Sequence, residues 1–175
     1  MKNCLIYGFV MAIAMFLLRL VLFIAGLEST QATGARWIAF LVSVVVAVTI
    51  LILGLRARRS TLPPEAEFTY GQAFKTGMGI QLFCAILSPV TTYVYLTAIN
   101  PGFIEATIQA SREKMEARGM TGDQLDRAEH MMRLFSGAGA QSIAAFFLVL
   151  ILGTIVTLIV AAFLRRDGAH DTLPA

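Results

Sequence analysis

The sequence predicts an all-α transmembrane bundle of four helices, with an extracytoplasmic helical hairpin between the third and fourth spans. Three observations predict it. Hydrophobic residues make up 57% of the 175-residue chain and charged residues only 14%, whereas an average soluble domain is roughly a quarter charged. The apolar residues are gathered into four long runs, and basic residues stand at the ends of those runs, as positive-inside topology requires. A mean hydropathy of +0.74 agrees with a bilayer as the solvent. The runs take up roughly half the chain, so residues 1–175 read as a single membrane domain with no room for a large soluble one.

The first run, Leu5 to Leu27, is about 23 residues long, enough to cross a hydrocarbon core of roughly 30 Å at 1.5 Å per residue. A cleavable signal would have a shorter apolar region and no arginine such as Arg19 within it. Glu28 to Arg36 is a short polar connection, so the second run, Trp37 to Leu55, is expected to lie antiparallel to the first. It stops at Arg56-Ala57-Arg58-Arg59, a cytoplasmic anchor. Pro63-Pro64 then forbids helix and marks a linker. The third segment, Gln72 to Ile99, exceeds the core thickness if straight. Pro89 inside it is expected to kink it, with Ser88, Thr91 and Thr92 near enough to re-satisfy the freed backbone groups. The fourth run, Ile143 to Leu164, ends at Arg165-Arg166, and a short polar tail closed by Pro174 follows. Lys2, Arg56, Arg58, Arg59, Lys75, Arg165 and Arg166 all fall on one side of four crossings, so both termini are expected in the cytoplasm. Trp37, Tyr93 and Tyr95 on one side and Tyr7 and Tyr70 on the other are placed as interfacial aromatics.

The segment at about 102–136 is too charged for lipid and too periodic for a linker. Ile104, Ile108, Ser111 and Met115 recur at helical spacing, with Gly119 as the left-handed stop. Thr121 with Gln124 fits a capping box, after which Leu125, Ala128, Met132 and Phe135 recur on one face. Two amphipathic helices follow. Their apolar stripes can pair with each other, lie on the membrane surface or receive another protein; packing within the chain is the simplest of these.

Three stretches together, Phe68-Thr69-Tyr70-Gly71-Gln72-Ala73-Phe74-Lys75-Thr76-Gly77, Tyr95-Leu96-Thr97-Ala98-Ile99-Asn100-Pro101-Gly102-Phe103 and Glu113-Lys114-Met115-Glu116-Ala117-Arg118-Gly119-Met120, resemble the bacterial four-span membrane protein family filed as domain of unknown function 4199. The resemblance extends over nearly the whole chain and implies a protein of the bacterial cytoplasmic (inner) membrane. It brings no catalytic or binding residues with it. Arg19 and the Arg56 to Arg59 cluster fall outside these motifs and take no meaning from them.

Arg19 is the sharpest oddity, because an arginine near the middle of a span costs roughly 2.5–3.5 kcal/mol on insertion scales. It either snorkels, pairs with backbone carbonyls, or faces an anionic substrate or headgroup. Lys75, Gln81, Ser88, Pro89 and Thr92 are the other candidate functional polar residues of the bundle. They read first as packing glue along a helix with Gly71, Gly77 and Gly79, and second as a polar path toward a broken helix. Gly137, Gly139, Ala140 and Ala144 read as a packing surface leading into the fourth span. Met115, Met120, His130, Met131 and Met132 invite a Cu(I) reading, but methionine is also an adaptable filler, and no metal site is expected. Cys4 and Cys84 lack CxxC spacing, so no disulfide is expected, and Cys4 lies too close to the start for a lipoprotein signal. There is no HExxH, GxSxG or glycine-rich phosphate loop, and no enzyme or cofactor is expected. Tyr7-Gly8 before Met15 echoes Tyr70-Gly71 before Met78, a faint sign of duplication. The net charge of +3 belongs to the span-flanking arginines, which excludes nucleic acid as a partner.

The expected partners are therefore the lipid bilayer, a second copy of the chain in a homo-oligomer, or a partner membrane protein. The expected role is an accessory or interaction protein acting through the outer hairpin. A transporter or channel for a small molecule, lipid or ion is the alternative. The discriminator is the bundle interior, which should be polar along a path in a carrier and dry in an accessory protein.

Overall fold

A computed structural model describes residues 2–26, 33–63 and 68–164. The 28–36 connection lies largely outside them. Pro64, Arg165, Arg166 and the tail lie wholly outside.

Among the described residues six α-helices follow one another: α1 (Lys2–Ile24), α2 (Thr33–Arg59), α3 (Tyr70–Val94), α4 (Phe103–Glu116), α5 (Asp123–Ser136) and α6 (Ala138–Leu164). Segments of α1 and α2, α3 with its π-helical extension, and α6 are long and apolar enough to cross a membrane. The fold is all-α and multi-pass, as the sequence predicts. The helices overrun the apolar runs that revealed them, because polar and basic residues such as Arg56, Arg58 and Arg59 extend α2 at no cost once they reach the headgroups. Side-chain exposure is inverted relative to a soluble domain. Ile6, Phe9, Leu41, Val45, Leu148 and Ile159 are among the many large apolar side chains on the outside, a surface suited to lipid and not to water.

The core is a single cluster to which all four spans contribute: Met11 and Ala12 of α1, Leu51 and Leu55 of α2, Ala73, Ile80 and Cys84 of α3, and Val160 and Ala161 of α6. Phe68, just before α3, is buried in the same cluster and pins the start of that helix. Thr69 caps α3 by accepting from the Gln72 N–H. The third span is the hub, packing most extensively on α6 and then on α1.

Glycines set how close these helices come. Gly8 of α1 faces the main chain of α3, where a Cβ would stand 2.6 Å from Phe83 Cβ and 2.8 Å from the Ile80 carbonyl oxygen. Gly77 lies under Thr157 and Gly153 under Gln81, so in the antiparallel α3–α6 pair each helix offers a glycine to the other's polar side chain. The expected packing surface at Gly137, Gly139, Ala140 and Ala144 is not formed. Gly137 and Gly139 have nothing near their Cβ positions, and Ala144 is exposed, because α6 makes its close approach a few turns later, at Gly153. Gly8 packs on α3 whereas Gly71 meets nothing, so the Tyr-Gly echo has no counterpart in packing.

The hydrogen-bonded ladder of α3 carries through Pro89. Proline has no N–H to give the Ala85 carbonyl, and the Ser88 hydroxyl donates to that oxygen instead at 2.9 Å. Thr91 Oγ1 donates to the Ser88 carbonyl at 3.0 Å. Ser88→Ala should therefore lower thermal stability by about 0.6 kcal/mol, a typical side-chain hydrogen bond in a membrane protein. In a Pro89→Ala background the loss should shrink, since the new N–H serves Ala85; a double-mutant cycle followed by thermal melting in detergent checks this.

Beyond Val94 the helix widens into a π-helical turn, Tyr95–Ile99, closed by the Asn100 N–H donating to the Tyr95 carbonyl at 2.8 Å. Gly119 takes the expected left-handed stop at φ +85°. The capping box at Thr121 is not formed. Gly122, at φ +56°, is the N-cap of α5, with no side-chain cap bond, because its positive φ already turns the chain into the helix.

Candidate functional site

The predicted polar residues of the bundle do not converge. Lys75 is exposed on the outer surface of α3. Gln81 is buried at 3% exposure, its amide lying against Gly153 of α6. Ser88 and Thr91 donate to their own helix, and Pro89 and Thr92 are half-buried. Thr157, which the sequence reading passed over, has a fully enclosed hydroxyl that lacks a hydrogen-bond partner among the described residues.

Arg19 is placed differently from every other candidate. It is half-buried, and its guanidinium carbon stands 3.9 Å from the centroid of the Tyr95 ring and 5.9 Å from that of Phe103. A guanidinium over an aromatic face gains about 0.5–2 kcal/mol, which offsets part of the cost of an arginine in a span. Tyr95 itself is completely buried, with the Phe23 ring edge-on to it at 6.1 Å and the Asn100 amide donating to its hydroxyl at 3.2 Å. Its expected place in a lipid-facing aromatic belt is thus corrected. At about 100° per residue, Tyr95 lies on the opposite face of the helix from Tyr93, which remains exposed at 52%, and the π-helical turn begins only at Tyr95. Arg19, Tyr95, Asn100 and Phe103 together tie the end of α1 to the junction of α3 and α4. π-Helical turns are frequent at functional sites, and the legible signal here was the Asn100-Pro101-Gly102 break that follows the tyrosine.

The second polar cluster lies in the α4–α5 hairpin. Arg133 holds Glu105 in a bidentate pair at 2.7 and 3.1 Å and also donates to Glu129 at 3.1 Å. Glu129 in turn accepts from Arg112 at 2.6 Å, and Arg112 closes the chain on Glu116 at 3.1 Å. Three of these five residues lie on α4 and two on α5, and the Glu105–Arg133 and Arg112–Glu129 pairs cross between the helices, so the ladder sets the register of the hairpin, in which Ile108 and Leu125 are buried. Glu105 and Arg112 of α4 thus belong to the seam itself.

The Arg133 hydrogen bond holds the Glu105 carboxyl below its ordinary range, with the charge of Arg133 adding to it and desolvation opposing. A carboxylate with a lowered folded pKa contributes stability that is present above its unfolded pKa of about 4.5 and lost as pH falls through the folded value. Exchange in α4 and α5, taken relative to its intrinsic rate at each pH, should therefore accelerate as pH falls through the folded value, and less so in high salt, where the exposed pair is already screened, while the relative exchange in α3 and α6 stays constant. Arg133→Gln should give the faster exchange already at neutral pH.

Among the described residues no group of three or more His, Cys, Asp or Glu side chains could hold a metal ion. Cys4 and Cys84 are free thiols; the first donates to the Thr76 carbonyl at 3.7 Å. His130 is exposed on α5, and His170 lies outside the described residues.

No curated protein and no solved structure matches the chain. The family model described as "Protein of unknown function (DUF4199)" matches residues 6–166, which takes in most of α1, the five helices after it, the Arg19–Tyr95 contact and the ion-paired hairpin, and the chain belongs to that family.

Proposed function

We propose that the chain is a non-enzymatic accessory protein of the bacterial cytoplasmic membrane. Both ends face the cytoplasm, and the α4–α5 hairpin stands on the opposite side, where it docks on a partner membrane protein. The observation that carries this reading is where the polar chemistry gathers. Charged side chains converge in the hairpin, whereas the bundle core is built from Met11, Leu51, Leu55 and Ile80 at 0–1% exposure. The hydroxyls of Ser88 and Thr91 are spent on their own backbone, so these residues offer no path for a solute. A hairpin locked by a ladder of ion pairs enters a complex with little ordering cost.

Native mass spectrometry of the protein released gently from its own membrane tests the proposal. The expected result is a partner protein in fixed stoichiometry that is lost on charge reversal of the exposed Glu113 and Arg118, which lie outside the ion ladder. A homo-oligomer that retains a specific small molecule or ion would instead favour transport. In that case Arg19→Leu should abolish retention.

A further inference from the structure

The exposed face of α5 changes character along its length. Near its start it carries Asp123, Arg127 and His130, all exposed. Its last turn and a half carries Met131, Leu134 and Phe135 at 53%, 60% and 71% exposure. Spaced i, i+3, i+4, these three share a stripe on the side of the helix away from Glu129 and Arg133, which meet α4 through their ion pairs. Nothing of the kind occurs on α4, which has no large apolar side chain among the exposed ones. The apolar stripe is thus confined to the end of the hairpin that adjoins α6.

That end is fixed against the membrane. α6 is 27 residues long, about 40 Å at 1.5 Å per residue, which matches the bilayer including its headgroups at roughly 40–45 Å. Its first turn therefore lies in the headgroup layer. Gly137 alone separates α5 from α6, and its ψ of 150° breaks the helix direction, so that α5 turns away from the α6 axis. The Gln141 side chain donates to the Ser136 carbonyl at 3.0 Å, which locks the corner. Leu134 and Phe135 are held just before that corner, and Ile143 and Phe147, in the first turns of α6 beyond it, are likewise exposed. Arg127, one turn before Met131 on the same side, is placed to meet lipid phosphates.

We propose that the C-terminal half of α5 is a membrane-interfacial segment, with Met131, Leu134 and Phe135 inserted among lipids at the bilayer boundary and Arg127 at the level of the headgroups. The change from polar to apolar along the exposed face marks where water gives way to lipid, as amphipathic interfacial helices require. The inference stands apart from the accessory reading, because its test needs no partner protein.

The test is a spin-label scan in lipid nanodiscs of mixed phosphatidylglycerol and phosphatidylcholine. Single cysteines are placed at positions 123, 130, 131, 134 and 135 in a chain with Cys4 and Cys84 replaced by alanine. Labels at 131, 134 and 135 should collide with oxygen in preference to a water-soluble nickel chelate, and the preference should reverse at 123, with 130 between the two. Preference for nickel at all five positions would place the stripe in water and overturn the proposal. So would shielding from both reagents at 131, 134 and 135, which would mean contact with protein. If the cysteine-free chain does not fold, Phe135→Trp in a Trp37→Phe background gives the same reading: strong quenching by bromolipids is expected, and quenching no greater than that of a tryptophan at position 123 overturns the proposal.

Discussion

Replacing Gly8 with alanine is expected to separate α1 from α3 and to cost about 3 kcal/mol, the upper end of what overpacking a filled interior costs. The new Cβ would stand 2.6 Å from Phe83 Cβ and 2.8 Å from the Ile80 carbonyl oxygen. Neither atom can rotate aside, since one is fixed to the main chain and the other belongs to it. Relief requires α1 to move outward by about an ångström to regain ordinary contact at 3.5–4.0 Å, which loosens the packing of Met11 and Ala12 in the core. Helix association in lipid relies on such packing, because transfer from lipid to protein offers little. Gly153→Ala should cost less, since the atoms it meets are the end of the flexible Gln81 side chain. Gly139→Ala meets nothing and should be neutral or gain up to about 1 kcal/mol of helix propensity. Unfolding by SDS in mixed micelles ranks the three variants. A Gly8→Ala protein that unfolds with the unmodified chain would mean that α1 does not pack through this glycine.

Tyr95→Ala is expected to cost about 3 kcal/mol, the low end for truncating a buried aromatic, because the transfer contribution is small in a membrane. The loss has three physical parts. A completely buried ring leaves a cavity beside Phe23. The Arg19 guanidinium loses the face on which it stacks. Asn100 loses its acceptor at the point where the π-helical turn closes. Tyr95→Phe keeps the ring and the stacking and should cost about 1 kcal/mol, the worth of one hydrogen bond. Equal destabilisation by the two substitutions would show that the hydroxyl, and not the ring, holds the junction. In either variant, amide exchange at the start of α4 should rise more than in α2.

Four spans and two hairpin helices were legible because apolar runs and helical periodicity are local properties. Pro89 with Ser88 was legible for the same reason, since the freed carbonyl and its rescuing hydroxyl lie within one turn. Gly8 and Gly153 carried a signal, a glycine inside an apolar run, but its meaning depends on which helix approaches. Arg19 stood out as a cost without its remedy being visible, because Tyr95 lies far along the chain. The sequence placed that tyrosine by its nearness to a span end, and which face of the helix turns inward at that level depends on the helices packed against it.

By itself the sequence determined the solvent and the elements, since hydropathy and helix length respond only to neighbouring residues. The tertiary structure decided which glycines become contacts, that the charges of α4 and α5 face each other as a ladder, and that Arg19 rests on a buried ring. Each of these depends on the pairing and rotation of helices, which helical periodicity leaves free whenever an all-apolar helix has no single preferred face.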